Sequence, residues 1–237
     1  MNLSLLGLAI APGLAIAIYV YWRDKFDREP RRLMIWAFIL GALSIIPAVL
    51  LESTWTSQGF TQGHTIIKTA FYAFVVVGFS EELSKYLFLR FFFFKKSAFN
   101  EPYDGITYSV MVSMGFATLE NVLYAAEGGF STAVMRIFTA VPAHAAFAVI
   151  MGYFVGMAKF DEGRKNLYLI TGVLFAAALH GMYDFSLMQK QIPGLQLIGA
   201  LLSLYLGIRL SLRAIRIHQR NSPFRNGSEK EELESES

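Results

Sequence analysis

The sequence predicts an all-α polytopic membrane protein, with about seven transmembrane helices forming a bundle around an intramembrane polar cavity. Hydrophobic residues make up 54% of the 237 and charged residues only 16%, with a mean hydropathy of +0.44. That is little charge for a soluble domain. Apolar runs at 3–22, 33–51, 66–94, 104–125, 133–157, 167–188 and 195–212 are each about long enough to cross a bilayer as a helix. Four of these runs carry ionisable residues, which are costly in lipid and usually face a bundle interior or a wet cavity.

The first run has no basic segment ahead of it and is longer than a signal-peptide core, so it reads as a retained helix. The loop after it, "RDKFDREPRR", holds Arg23, Lys25, Arg28, Arg31 and Arg32, whereas "ESTWTSQGFTQGHT" holds no Lys or Arg. The alternation continues: "KKSAFNEPY" is basic, "AEGGFS" is not, "KFDEGRKN" is basic, and "QKQIPG" has the single Lys190. Basic loops stay in the cytoplasm, which predicts an outside N-terminus and a cytoplasmic C-terminus.

In the third run, "RFFFF" ahead of Lys95 reads as an interfacial aromatic anchor. The small-residue stretches "TAVPAHAAFAVIMGYFVG" and "GVLFAAALHG" let helix backbones approach closely. The last run continues into "RLSLRAIRIHQR", whose arginines recur at helical spacing, as in a helix leaving the membrane among anionic headgroups. Residues 1–212 are thus expected to form one multi-pass domain. Residues 213–237 are expected to form a basic juxtamembrane segment and a disordered acidic cytoplasmic tail.

Within the runs, Glu81, Glu82 and Lys85 lie on the third, Glu120 on the fourth, His144 on the fifth, and His180 and Asp184 on the sixth. Lys85 is four residues from Glu81 and three from Glu82, within reach of both, while the two glutamates diverge by roughly 100° around the axis. His180 and Asp184, four apart, share a face. Counted from the expected membrane edges, Glu120, His180 and His144 lie at depths of about 24, 20 and 18 Å, compatible with one cavity opening outward.

The absence of cysteine rules out disulfides, a thiol nucleophile and thiolate metal ligation. What remains is hydrolysis by water activated on a carboxylate or on a metal held by His and Glu, or proton relay in a transporter or channel. A catalytically silent membrane scaffold, with the charges serving as ion pairs, is a third reading.

Four motifs carry a resemblance. "EELSK" (81–85), "DGITYSVMVSMGFATLENVLYA" (104–125) with Phe116, Glu120 and Asn121, "HAAFAVIMGYFVG" (144–156) and "HGMYDF" (180–185) resemble the successive motifs of the PrsW family of intramembrane proteases. "DREP" (27–30) is similar to that family's first cytoplasmic loop. The resemblance implies a multi-pass protease domain over 1–212, related to the CAAX prenyl endopeptidases. It further implies site-1 cleavage of a single-pass anti-sigma factor near its extracytoplasmic side. Glu120 stands where those relatives place an assisting histidine, and Asp184 where they place an asparagine.

The expected catalytic set is Glu81, Glu82, Glu120, His144 and His180, supported by Lys85, Phe116, Asn121 and Asp184. Glu81 activates water, Glu82 with Lys85 positions it, and His144 or His180 completes the site. No cofactor is expected; the alternative is zinc on His144, His180 and Glu120 with Glu81 as base. The expected partners are the membrane-anchored substrate and the lipid bilayer, with no nucleic acid. The topology is checked with a single cysteine placed in "TSQGFTQG": an impermeant thiol reagent added to intact cells labels it, and labelling only after lysis overturns the orientation.

Overall fold

The computed structural model describes residues 1–192 and 194–225. Among them all regular structure is helical: α1 (Leu3–Arg23), α2 (Arg31–Leu43), α3 (Ile45–Ser57), α4 (Ile66–Phe71), α5 (Ser80–Phe88), α6 (Pro102–Phe138), α7 (Ala140–Phe160), α8 (Lys165–Met188) and α9 (Leu195–Arg220). π-Helical stretches at Tyr72–Phe79 and Leu89–Phe93 join α4 to α5 and extend α5. Five stretches are long and apolar enough to cross a membrane: Leu3–Arg23, Arg31–Ser57, Pro102–Phe160, Lys165–Met188 and Leu195–Arg220. Leu3, Trp22, Ile67, Phe91 and Leu197 stand exposed, as lipid-facing side chains do.

Two features separate five such stretches from the expected seven runs. Pro102–Phe160 spans 59 residues and contains both the fourth and the fifth run. The third run is helical from Ile66 to Phe93, but Glu81, Glu82, Lys85 and Arg90 make it too charged to count as an apolar span.

Local sequence explains the breaks. Pro47 cannot donate a backbone hydrogen bond to the preceding turn, and the second run breaks into α2 and α3 at Ser44. The Ser84 hydroxyl of α5 donates to the Ser44 carbonyl there. Within α6, Gly129 adopts φ 70°, ψ −158°, a region only glycine enters readily. Residues 130–138 turn back as a result: Arg136 meets Glu120 at 2.7 Å, whereas a straight helix would hold positions sixteen apart at about 24 Å. "AEGGFS" is therefore a helical kink rather than the open loop expected, and α7 begins at Ala140.

α6 is the spine, buried almost continuously from Tyr103 to Thr118 and packed against α1, α2 and α7. Its crossing with α7 is backbone on backbone: a Cβ on Gly105 would meet the Gly156 nitrogen at 2.5 Å, and one on Gly152 would meet the Ile106 Cα at 2.6 Å. Gly152 and Gly156 form the small-xxx-small spacing that lets membrane helices touch. A second close approach joins α8 to the π-helical stretch, where a Cβ on Gly181 would sit 2.5 Å from the Phe74 ring and one on Gly78 would sit 3.0 Å from the Gly181 nitrogen. α9 continues to Arg220 through the basic juxtamembrane sequence; of the tail expected to be disordered, 221–237, residues 221–225 are described, with Ser222 buried, and 226–237 lie outside the described residues.

Gly152→Leu is expected to lower the thermal midpoint of the detergent-purified chain by several degrees, because overpacking costs about 1–3 kcal/mol. Gly7→Ala, with nothing within 4 Å of its added Cβ, is expected to leave the midpoint unchanged.

Candidate functional site

The constraint that builds the site is the meeting of α5, α6, α7 and α8 at one depth. Glu81 and Glu82 leave the first turn of α5 just after the π-helical stretch, an irregularity that recurs at functional sites. The Lys85 Nζ lies 3.1 Å from Glu81 Oε2, 2.8 Å from Glu82 Oε1 and 3.1 Å from His144 Nδ1, and 4.1 Å from the centre of the Phe116 ring. All four polar groups are buried, with Lys85 2% exposed.

The two imidazoles are each held at both ends. His144 Nε2 faces Glu120 Oε2 at 2.9 Å, an acceptor, so the proton sits on Nε2 and Nδ1 offers its lone pair to Lys85. His180 Nδ1 lies 2.9 Å from Glu82 Oε1, its Nε2 lies 3.4 Å from Asp184 Oδ2, and Phe147 stacks on the ring at 5.1 Å. Glu120 is fixed in turn by the Arg136 guanidinium at 2.7 Å.

A cavity of about 570 Å³ opens onto this cluster, and Glu81, Phe116, Glu120, His144, His180 and Asp184 all line it. Gln62, Thr139 and Met188 also line it, so it reaches the end of the bundle whose loops carry a single basic residue, Lys190. Glu82 and Lys85 are not in its wall. Glu81 is the member of the pair that meets the cavity.

Of the residues expected from the sequence, Glu81, Glu82, Lys85, Phe116, Glu120, His144, His180 and Asp184 come together. Asn121 does not: it donates to the Ala9 carbonyl at 2.8 Å and accepts from Arg136 Nε at 2.9 Å, tying α1 to the kinked end of α6. The sequence reading missed Arg136 and Glu52, which also line the cavity. The signal for Arg136 was one arginine within the fifth apolar run. Glu52 was hidden because it was assigned to the loop after the second run.

One donor atom from each of Glu81, Glu82, His144 and His180 lies within 4.8 Å of the others. Two carboxylates and two imidazoles without sulfur suit zinc or a similar first-row metal. Glu82 Oε2 is buried without a hydrogen-bond partner, and the carboxylates on the far nitrogens of both histidines orient their rings as they do in metal sites. The residues therefore fit a metal, and any cation held there shares its focus with the Lys85 ammonium. Glu120 lies outside this four-donor group and Glu82 inside it, which differs from the zinc set the sequence suggested.

The profile of the family described as PrsW family intramembrane metalloprotease matches residues 29–210. The chain is 37% identical over 188 residues to Protease PrsW of Geobacillus kaustophilus (strain HTA426), covering 79% of this chain and 81% of that protein. It is 34% identical over 185 residues to Protease PrsW of Bacillus subtilis (strain 168), covering 78% and 83%. To Protease PrsW of Clostridioides difficile (strain 630) it is 37% identical over 195 residues, covering 79% and 81%. No solved structure matches the chain.

Lys85→Met leaves two buried carboxylates facing one another and is expected to destabilise the fold by about 3–5 kcal/mol, read as a lower thermal midpoint in detergent. Adding Glu82→Gln to Lys85→Met is expected to restore part of that loss.

Proposed function

The chain belongs to the PrsW family of intramembrane proteases, and from that premise we propose that Glu81, Glu82, His144 and His180 form the hydrolytic centre. In this reading the substrate is a single-pass membrane protein of the anti-sigma factor kind, cut near its extracytoplasmic side. The carrying observation is the convergence of the adjacent glutamates with both intramembrane histidines at the base of a cavity. The cavity reaches the end of the bundle whose loops are poor in basic residues, which supports an outward opening, an outside N-terminus and a cytoplasmic C-terminus. Residues 1–212 carry the protease domain in this reading.

Peptide hydrolysis requires a base for water, a donor for the developing oxyanion and a proton for the leaving amine. Glu81 is the base, because it faces the cavity while Lys85 holds its inner oxygen. It takes a proton from the attacking water and returns it to the leaving nitrogen. Glu82 is committed to Lys85 and His180, and so fixes the position of both. Glu120 and Asp184 orient the two imidazoles, and Arg136 holds Glu120 at the cavity wall. The oxyanion donor is the His180 Nε2–H, whose 3.4 Å contact with Asp184 is the loosest of the four imidazole contacts, whereas both His144 nitrogens are already engaged. Glu81, Glu82, His144 and His180 would hold a divalent metal, which would supply Lewis acidity at the site. The oxygen Glu82 leaves unpartnered supports the metal-bound reading.

Co-expression with candidate single-pass membrane proteins is expected to yield a fragment cut on the side of the 58–65 loop. Glu81→Gln, which keeps size and hydrogen bonding, is expected to lower cleavage by at least about 100-fold while the amount of inserted chain stays unchanged. Normal cleavage by this variant removes Glu81 as the base. Metal analysis of the purified chain, with cleavage assayed before and after chelation, separates the two forms of water activation.

A further inference from the structure

At the opposite end of α6 lies a second group of acids that the hydrolytic centre does not use. Asp24 follows α1, Glu29 precedes α2, Glu101 precedes α6, and Asp104 stands in its first turn. All four are buried, with Asp24 and Asp104 fully inaccessible. The ion pairs of Lys85, Arg136 and Lys165 lie elsewhere, and Lys159 and Arg23 act on Asp104 and Tyr103 only through longer-range electrostatics. Arg28, the nearest in sequence, directs its Nε at the Asp24 backbone carbonyl instead, at 3.1 Å.

One oxygen of Asp104 is satisfied, accepting from the Asn100 and Glu101 N–H groups at 2.7 and 2.8 Å, and one oxygen of Glu29 accepts from the Tyr108 hydroxyl. The rest of the charge has no such partner. Both Asp24 oxygens, both Glu101 oxygens, Glu29 Oε1 and Asp104 Oδ1 are buried without a hydrogen bond. The donors that approach, the Glu29 N–H toward Asp24 and the Asp104 N–H and Ser222 hydroxyl toward Glu101, make contacts looser than full hydrogen bonds.

A separate observation points to an occupant. The Tyr103 side chain is 1% exposed, its hydroxyl has no partner, and Asp24 and Glu101 are among its closest charged neighbours, so it is directed into the same group. Thr107, one turn further along α6, likewise buries an unpartnered hydroxyl. The positive ends of α2 and α6 lie here, but a helix terminus offsets only about 0.3–2 kcal/mol per charge, far less than several buried carboxylates require.

We propose that Asp24, Glu29, Glu101 and Asp104, with the Tyr103 hydroxyl, form a binding site for a hard divalent cation of the magnesium or calcium class. Every donor is an oxygen, which selects such a cation over zinc. Three separate chain segments supply the ligands, so the bound cation clamps the end of α1 and the start of α2 to the start of α6. Burial, with repulsion from Asp104, pushes the Asp24 carboxyl up to about 8, and burial pushes Glu29 up to about 9, as expected where a counter-charge is needed. Protons are the competing occupant. They suit Glu29 and Asp104, which lie close enough to share one, and leave Asp24 without an acceptor in reach. The proposal does not rest on the assignment of the hydrolytic centre.

The test is a Mn²⁺ titration of the detergent-purified chain by electron paramagnetic resonance, with Mg²⁺ and Ca²⁺ as competitors. The expected result is a saturable ion that Mg²⁺ or Ca²⁺ displaces, retained in Glu82→Gln and bound at least tenfold more weakly in Asp24→Asn and in Glu29→Gln. Location is read independently of those variants. A spin label on Lys25→Cys, the only cysteine in that chain, is expected to broaden as the ion binds. No saturable ion at millimolar Mn²⁺, binding that Glu82→Gln abolishes, or a Lys25→Cys label that does not respond each overturns the proposal. A higher thermal midpoint for Asp24→Asn, with no response of the unsubstituted chain to Mg²⁺ or Ca²⁺, overturns it in favour of shared protons.

Discussion

The Lys85 ammonium holds two carboxylates and an imidazole together in the centre of the bundle, and their placement depends on constraints from four helices. Burying these charges costs several kcal/mol per ion before their mutual attraction is counted, and a well-packed apolar core is often at least as stable. The arrangement is therefore poorly explained as a device for stability alone. It does supply what the proposed chemistry requires: Lys85 keeps Glu82 and the inner oxygen of Glu81 fixed while Glu81 still meets the cavity. Adjacent glutamates serve this because successive helical positions diverge by about 100°, so one is held within the bundle as the other lines the cavity.

Backbone proximity sets the distances. Gly78 and Gly181 allow α8 and the π-helical stretch to pack without intervening side chains, and His180 and Glu81 lie within a few residues of that contact. The 2.9 Å separation of His180 and Glu82 is a consequence of glycine at both positions as much as of the charges themselves. The Gly105, Gly152 and Gly156 contact does the same between α6 and α7, the helices bearing Glu120 and His144. In lipid, where apolar side chains gain little by leaving their surroundings, such close approach supplies the packing that fixes a polar site.

The helical class and most of the site were legible in the sequence because both rest on local spacing. Glu81, Glu82 and Lys85 share one turn, His180 and Asp184 are four apart, and each run is long enough to mark its own span. What escaped was what a single reversal decides. Arg136 is sixteen residues from Glu120 and joins it only because Gly129 turns the chain. Helical spacing has no term for that. Asn121 shows the opposite failure: next to Glu120 in sequence, it points to α1 and serves packing. The zinc set His144, His180 and Glu120 was chosen by residue type from three helices. The structure replaces Glu120 with Glu82, since Glu120 lies on the outer nitrogen of His144.

The two acidic groups on α6 show how one residue type serves opposite ends of a membrane helix. Asp104 and Glu120 are sixteen residues apart, about 24 Å along the axis; Asp104 is buried and Glu120 half-buried at the cavity wall. Around Glu120 the charge is met by nitrogen groups, Arg136, His144 and, a little further, Lys85. A proton can move among such groups, and the cavity admits water to them. Around Asp104 the neighbours are carboxylates, and the hydroxyls of Tyr103, Thr107 and Tyr108 cluster on the same stretch of helix. Lys159 lies within electrostatic range of Asp104, but its ammonium donates to the Phe94 carbonyl at 2.7 Å, and the cavity at the other end does not extend to Asp104. The first group is composed for acid–base chemistry, whereas the second is composed to hold a fixed positive charge. That difference in donor chemistry is what supports the proposal of hydrolysis at one end of α6 and of a cation clamp on α1, α2 and α6 at the other.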